Sequence, residues 1–248
     1  MRTFGSIVVV LVGLVGLVAP HSMEFGSCRA IRSFTDFEPK KFEGLWHVIE
    51  ITSTSSRCMT MNFTLTDSGF MVTEVRQFFL FNKFNLDHTF TNRGFFFMTD
   101  SSNPAKMVAN WNSNFLGNAD VTVVDTDYTQ FAVLYECQSL TFLRRTSAVI
   151  LSRTNNLDGA TVERVKNDLQ ELDINVAKLD TIEHENCKQP GEADFDLSED
   201  SLTNLFTTGK LGGSNSQSNK DSTTTNIQTD VEVVTADNKD NEILNARR

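Results

Sequence analysis

The sequence lacks the motifs of the common enzyme classes. It contains no Gly-x-Ser-x-Gly turn, no His-Glu-x-x-His pair and no glycine-rich phosphate loop, and its 248 residues include only four histidines. It also has no Cys-x-x-Cys and no cluster of histidines, so zinc or redox chemistry has no support. These absences predict a protein that is not an enzyme and that needs no metal or cofactor.

Positive charge is also scarce. The chain carries 22 lysines and arginines against 32 aspartates and glutamates, which gives a formal net charge of -10. A surface that binds nucleic acid needs an excess of basic side chains to pair with the phosphates. We therefore expect no nucleic-acid partner.

An apolar run stands near the N-terminus, over residues 7–18. It follows Arg2 and is too short to span a bilayer comfortably, which is typical of a secretory signal peptide. We assign residues 1–22 to this segment and expect cleavage between Ala19 and Ser27; an anchor helix that is not cleaved is the alternative. The protein is accordingly expected to be secreted and extracellular.

Four cysteines follow that segment: Cys28, Cys58, Cys137 and Cys187. In an oxidising compartment an even number of cysteines indicates disulfide bonds, here two. Four cysteines allow three pairings, and the residues alone leave all three open.

Strand signals dominate the middle of the chain. They are separated by gaps of hairpin length with no helical pattern between them, which predicts an antiparallel sandwich or barrel. The predicted strands are 45–53, 58–66, 70–79, 88–99 with a turn at 92–94, 105–112, 119–125, 129–137 and 140–152.

The periodicity changes after the last of these strands. Residues 159–172 form one predicted amphipathic helix, and residues 174–182 are a candidate ninth strand. The apolar positions that recur at helical spacing are Val162, Val165, Leu169 and Leu172.

The C-terminal part, residues 191–248, is acidic and rich in Ser, Thr and Asn, with few large apolar side chains. Such a segment cannot bury enough surface to offset the entropy of ordering it, so we expect a disordered tail. One folded domain, residues 23–190, remains between the signal segment and the tail.

Three short motifs within that domain are separated by distances that fit a single sequence signature. They are a Gly-x-Trp ahead of the first strand, a Thr-Asp-Tyr between two strands, and an arginine at the end of the last strand. Together they resemble the signature of the lipocalins, and within that family the apolipoprotein D and insect bilin-binding group. The residues that carry the resemblance are Gly44, Trp46, Thr126, Asp127, Tyr128 and Arg153.

The resemblance implies an all-β fold: an eight-stranded antiparallel up-and-down barrel with one C-terminal helix packed outside. It implies that Arg153 lies across Trp46 and seals one end. It also narrows the cysteine pairings, since the group joins the first cysteine to the third and the second to the fourth. Cys28 would then bond to Cys137, and Cys58 to Cys187.

A ligand site follows from strand alternation. Asn62 begins the only Asn-x-Ser/Thr sequon, and a glycan must face solvent, so the flanking Met61 and Phe63 should face inward. The resemblance adds lining residues, among them Phe42 and Trp111. The full set expected to bind ligand is Phe42, Val48, Met61, Phe63, Met107, Ala109, Trp111, Val149 and Leu151.

These features together predict a secreted carrier of a small hydrophobic molecule, of the fatty acid, sterol, retinoid or bilin class. The alternative is an extracellular interaction protein with a vestigial pocket, which uses a phenylalanine-rich rim over residues 78–97 and the acidic tail to contact a protein, lipoprotein or membrane surface. At least one of Phe95, Phe96 and Phe97 must face outward in a regular strand.

A third interpretation, an amine or haem trap, would use Glu50 or His47. The sequence leaves the oligomeric state open.

Overall fold

A computed structural model describes residues 21–79, 81, 86–114 and 116–198. The expected signal segment therefore lies outside the described residues except for His21 and Ser22. The expected tail lies outside them from residue 199 onward.

Eight antiparallel strands form a closed barrel, which confirms the predicted fold. Each strand pairs with the next along the chain, and the last pairs back onto the first and closes the wall. The barrel strands are β2 (Gly44–Thr52), β3 (Ser56–Thr66), β4 (Gly69–Phe78), β5 (His88–Met98), β6 (Lys106–Trp111), β7 (Ala119–Thr126), β8 (Phe131–Ser139) and β9 (Leu143–Ser152).

Three short strands extend the wall. The strand β1 (Ser22–Phe25) pairs with the first residues of β9, and β10 (Leu179–Thr181) pairs with the end of β2. The strand β11 (Phe195–Ser198) runs parallel to the start of β5. The first residues of β5 extend beyond its pairing with β6, and β11 satisfies the backbone groups left at that edge. The prediction of a disordered tail is therefore wrong for 195–198.

Besides a 3-10 turn at Val176–Lys178, two α-helices have described bounds. A single turn, α1 (Pro39–Phe42), leads into β2, and α2 (Gly159–Glu171) follows β9. The helix α2 begins where the Asp158 carboxylate accepts a hydrogen bond from Thr161 N at 2.9 Å. It buries Val162 and neighbouring apolar residues against the outer wall, which confirms the predicted helix. Among the described residues, no helix is both long and apolar enough to cross a membrane.

The predicted turn at 92–94 is wrong, because β5 runs unbroken through it. Gly94 has another purpose there. A Cβ atom at this position would lie 2.6 Å from Cε3 of Trp111 on the neighbouring strand, so only glycine leaves room for the indole ring.

Two disulfide bonds tie the ends of the folded segment to the barrel. Cys28 is bonded to Cys137 on β8, and Cys58 on β3 is bonded to Cys187. This is the pairing that the resemblance implies. The bonds hold the lead-in to β2 and the segment after β10 against the outer wall.

Candidate functional site

The up-and-down topology gives the barrel two different ends. The β3–β4, β5–β6 and β7–β8 connections meet at the end where β2 begins, which is the closed end. The β4–β5, β6–β7 and β8–β9 connections meet at the opposite, open end. Side chains alternate between the lumen and the outer wall along each strand, so the lumen can be described from one end to the other.

The closed end is sealed by Arg153. Its guanidinium carbon lies 3.7 Å from the centroid of the Trp46 ring, as the resemblance implies. Its nitrogens donate hydrogen bonds to backbone oxygens around the ring, including that of Leu45 at 3.0 Å and that of Tyr128 at 3.0 Å. Burial lowers the pKa of Arg153. The Arg153 guanidinium therefore has a structural role: it closes this end of the barrel.

Gly44 makes this seal possible. Its backbone φ of +104° is a conformation that side chains rarely adopt, and an added Cβ would meet the Arg153 guanidinium at 3.4 Å. The Trp46 indole N–H donates to the Phe42 oxygen at 2.9 Å, which fixes the ring from its other edge.

The Thr-Asp-Tyr segment is a tight turn at the same end. One oxygen of the Asp127 carboxylate accepts three backbone N–H groups, from Thr129, Gln130 and Phe131, at 2.7–3.0 Å. The Tyr128 hydroxyl accepts from a backbone N–H of the lead-in at 2.9 Å. The turn thus anchors the chain that passes beneath the barrel.

Aromatic rings fill the lumen next to the seal. The centroid of the Phe42 ring lies 5.2 Å from that of Trp46, 5.0 Å from that of Phe63 and 5.9 Å from that of Phe70. The Phe63 ring also contacts Phe96 at 6.0 Å. These edge and tilted contacts form a packed floor.

All nine residues expected to bind ligand are buried and belong to the cluster that fills the lumen. Phe42 and Phe63 are part of the floor, and the other seven lie on the wall of the lumen, with Met107 near the closed end beside the β5–β6 connection. Asn62 is exposed on the outer wall, between inward-facing Met61 and Phe63. Whether the seven wall residues touch a ligand stays a prediction.

The open half of the lumen differs sharply from this floor, because it contains polar side chains that the sequence analysis missed. Four are charged, Glu74, Arg76, Glu136 and Arg145, and the fifth is the amide of Asn92; all are buried or nearly so. Strand parity carries the signal for them: Glu74 and Arg76 continue the inward series of Phe70 and Val72 on β4.

One charged group is centred on Glu136. One of its oxygens lies 3.1 Å from His21 Nε2 and 3.5 Å from an Arg145 nitrogen, and the other accepts the Trp111 indole N–H at 3.2 Å. Burial raises the pKa of Glu136, but His21, Arg145 and Trp111 together hold it below its ordinary value. This carboxylate is therefore ionised and fully engaged.

The second charged group is the pair Glu74 and Arg76 on β4. Their side chains are 6% and 3% exposed, and Arg76 Nε lies 3.2 Å from a Glu74 oxygen. The contact is not aligned as a hydrogen bond, since both atoms are left without a hydrogen-bond partner among the described residues. The Arg76 guanidinium carbon lies 5.3 Å from the Phe78 ring and 5.2 Å from the Phe90 ring. Burial raises the pKa of Glu74.

The residues named for an amine or haem trap do not face the lumen. Glu50 lies on the outer wall, where its carboxylate is 2.8 Å from Lys166 Nζ of α2. His47 also faces out, with its ring 5.4 Å from that of His184 beside an outer cleft of about 120 Å³. No group of three His, Cys, Asp or Glu side chains in the described ranges is placed to hold a metal.

The phenylalanine-rich segment is divided between three places. Phe96 is buried in the lumen, whereas Phe95 and Phe97 lie on the outer wall near the closed end. Phe78 and Phe90 lie beside Arg76 near the open end. The expected rim is thus not a single surface of these phenylalanines.

Exposed apolar side chains nevertheless surround the open end. They come from β1, from the β4–β5, β6–β7 and β8–β9 connections and from β11. They are Met23, Phe25, Phe79, Leu86, Leu116, Phe142 and Phe195. We call this set the mouth rim.

Comparison with known proteins agrees with this architecture. Residues 43–186 match the model of the lipocalin / cytosolic fatty-acid binding protein family. Apolipoprotein D of Macaca fascicularis is 30% identical over 186 residues, which cover 72% of this chain and 94% of that protein. Apolipoprotein D of Rattus norvegicus is 26% identical over 192 residues, which cover 75% and 98%.

Solved structures show the same fold at lower identity. Insecticyanin from the tobacco hornworm Manduca sexta has a TM-score of 0.54 at 19% identity, covering 71% of this chain and 95% of that one. H1 crustacyanin from the lobster Homarus americanus has a TM-score of 0.54 at 15% identity, covering 68% and 95%.

Proposed function

The chain belongs to the lipocalin family, and from this membership we propose that it is a secreted carrier that binds a small hydrophobic molecule inside its barrel. Lipocalins are known as carriers of this kind. The observation that supports the proposal best is the lumen itself: a barrel sealed by Arg153 over Trp46, with buried apolar side chains on its wall.

The binding step is burial of apolar surface. Each Å² that leaves water contributes about 25 cal/mol, and a few polar contacts set the orientation of the ligand. Because aromatic rings pack the floor, the proposed place for the guest is the open half. Met59 and Met61 on β3 are unbranched side chains of the lumen that can change rotamer to admit it.

Native mass spectrometry of protein secreted by its own source tests this function. We expect a mass excess over the polypeptide and any glycan, which disappears after extraction with organic solvent. The polypeptide mass also reports whether residues 1–22 have been removed. A protein that carries nothing, and that binds no fatty acid, sterol, retinoid or bilin when these are added, would contradict the carrier function.

A second candidate function is contact with a lipid surface through the mouth rim. Phe25 and Phe142 are 85% and 69% exposed, and large apolar side chains this open to water mark interaction surfaces when they cluster. The contact would bring the open end of the barrel to a lipoprotein or membrane, where an apolar ligand could be exchanged.

Liposome flotation tests the second function. Phosphatidylcholine vesicles should carry the wild-type protein upward in the gradient, and the double variant Phe25→Ser/Phe142→Ser should float less. Phe97→Ser is the matched control, since Phe97 is exposed on the outer wall near the closed end. Equal flotation of all three proteins would contradict a contact through the mouth rim.

A further inference from the structure

Arg76 is a buried cation with unused hydrogen-bond donors. It faces the lumen from β4 with a side chain that is 3% exposed, and its Nε and Nη1 find no hydrogen-bond partner among the described residues. A guanidinium in this condition costs free energy, because it has lost water without gaining acceptors. An oxygen-bearing group that entered the lumen would recover that loss.

The neighbouring carboxylate cannot supply those acceptors well. Glu74 lies two positions from Arg76 on the same strand, so the two side chains leave the wall side by side and do not meet end to end. A guanidinium binds a carboxylate best through two parallel N–H bonds, and the 3.2 Å contact between the pair is not a hydrogen bond. Burial also raises the pKa of Glu74, which weakens it further as an anionic partner.

The other acid of the lumen is already occupied. Glu136 is engaged by Trp111, Arg145 and His21, as described above. His21 lies within the expected signal segment, and without it Arg145 and Trp111 still contact both carboxylate oxygens. The charged side chains of the open half, His21 left aside, are thus two acids and two arginines; one acid is engaged and the other has a raised pKa.

We propose that the open half of the lumen contains an anion subsite centred on Arg76, which takes the carboxylate of an amphipathic apolar acid. The apolar part of that ligand lies against Met61 on the neighbouring strand β3 and Trp111 on β6, both on the lumen side. Asn92, opposite Glu74 on β5, adds a second polar group whose Oδ1 has no partner among the described residues. An amide flip lets Asn92 present a donor to the same anion.

The inference rests on the proposed carrier function and specifies its ligand class. An uncharged sterol or hydrocarbon would leave Arg76 without hydrogen-bond acceptors. An amine would add another positive charge beside Arg76 and Arg145. The rings of Phe78 and Phe90, which contact each other, both lie beside the guanidinium but accept no conventional hydrogen bond from it. A carboxylate supplies the hydrogen-bond acceptors and the negative charge that the site lacks.

Equilibrium dialysis of matched ligands tests the subsite. Retinoic acid and retinol share one apolar body and differ in the head group, and palmitic acid and palmityl alcohol form a second pair. The wild-type protein should bind the acid of at least one pair about tenfold more tightly than the alcohol, the factor expected for a charge-assisted hydrogen bond. Equal affinity for acid and alcohol in both pairs would overturn the subsite and leave the carrier function standing.

Two variants connect the preference to Arg76. Arg76→Gln should bring the ratio of acid to alcohol affinity close to one. Arg76→Met provides a second test should the first not fold, because an apolar chain of similar length adds no polar group of its own, and Glu74, whose pKa is raised by burial, can take up a proton in place of its partner. Arg29→Gln is the control: it removes a guanidinium that is 70% exposed on the outer surface, and it should keep the wild-type ratio.

The outcomes separate the two proposals. Loss of the acid preference in the Arg76 variants, with the preference intact in Arg29→Gln, supports the subsite. A preference that survives removal of Arg76, or tighter binding of octadecylamine than of palmitic acid, overturns it. If no acid and no alcohol binds to the wild-type protein, both the carrier function and the subsite fail.

Discussion

The two halves of the lumen differ in how completely their polar groups are hydrogen-bonded. At the closed end every part of the seal is matched: Arg153 donates to a ring of backbone oxygens, Trp46 donates to Phe42, and aromatic rings fill the space. In the open half Arg76 and Arg145 retain nitrogens without hydrogen-bond partners in the described part of the chain. The closed end is built for stability, whereas the open half retains polar groups that only a ligand would complete.

The disulfide bonds follow the same division. Cys58 lies near the start of β3 and Cys137 near the end of β8, and both positions belong to the open half. The closed end is held by packing and by Arg153. The disulfide bonds therefore lie in the half whose buried polar groups lack some of their hydrogen-bond partners.

Removal of the ring at the closed end should have the largest effect. Trp46 is fully buried, so Trp46→Ala should lower the free energy of unfolding by roughly 3–5 kcal/mol, through lost burial and the cavity left behind. Urea denaturation followed by circular dichroism measures the loss. Leu45→Ala, at a neighbouring side chain that is 50% exposed, is the control and should change stability far less. Similar losses for both variants would contradict the closed end as the stable half.

Removal of either disulfide should have the next largest effect. We expect the double variants Cys28→Ser/Cys137→Ser and Cys58→Ser/Cys187→Ser each to lose about 2–4 kcal/mol. Their sequence separations of 109 and 129 residues are similar, so loop entropy predicts losses within about 0.5 kcal/mol of each other. A much larger loss for one variant in urea denaturation would show that its bond supports native structure and does not act on the unfolded chain alone.

The two acids of the open half should respond to pH with opposite signs. In the chain that retains His21, the folded-state pKa of Glu136 is lowered, so its ionised form adds stability above the ordinary value of 4.5, and this stability is lost as the pH falls through the lowered pKa. Glu136→Gln should cost roughly 1–3 kcal/mol at neutral pH, because charged partners lose their acceptor. The difference from wild type should shrink in acid.

Glu74 provides the matched comparison. Its pKa is raised, so the ionised form opposes folding at neutral pH, and protonation relieves that cost as the pH falls through the raised pKa towards 4.5. Glu74→Gln imitates the protonated acid and should be at least as stable as wild type at neutral pH. Denaturation curves at several pH values that gave the two variants the same sign would contradict this distinction.

Asn62 should give the smallest effect on stability. It is exposed on the outer wall, so Asn62→Gln should change the free energy of unfolding by no more than about 0.5 kcal/mol. If the sequon is used, the mass of the secreted protein should fall by the mass of one glycan. Loss of ligand binding in this variant would place the ligand outside the lumen.

Much of the fold was predictable because its signals are local. Strand alternation placed Met61 and Phe63 inside, and helical spacing located α2. The resemblance carried what local patterns cannot, the pairing of cysteines more than a hundred residues apart and the contact of Arg153 with Trp46.

Strand parity places some charged side chains correctly and misplaces others, because a bulge changes the parity of a strand. A regular β2 would turn Trp46, Val48 and Glu50 to the same side, but the register shifts between Val48 and Glu50, which sends the carboxylate out to Lys166. On β4 the alternation is regular, so Glu74 and Arg76 could have been placed inside from Phe70 and Val72.

The two tryptophans allow the difference between the halves to be measured directly, since Trp46 lies at the closed end and Trp111 in the open half. In the variant Trp46→Phe, which keeps Trp111, a brominated fatty acid that quenches indole only near contact should quench the emission. In Trp111→Phe, which keeps Trp46, the same ligand should leave the emission almost unchanged. Equal quenching of both proteins, or quenching of Trp46 alone, would contradict a ligand bound in the open half above a packed floor.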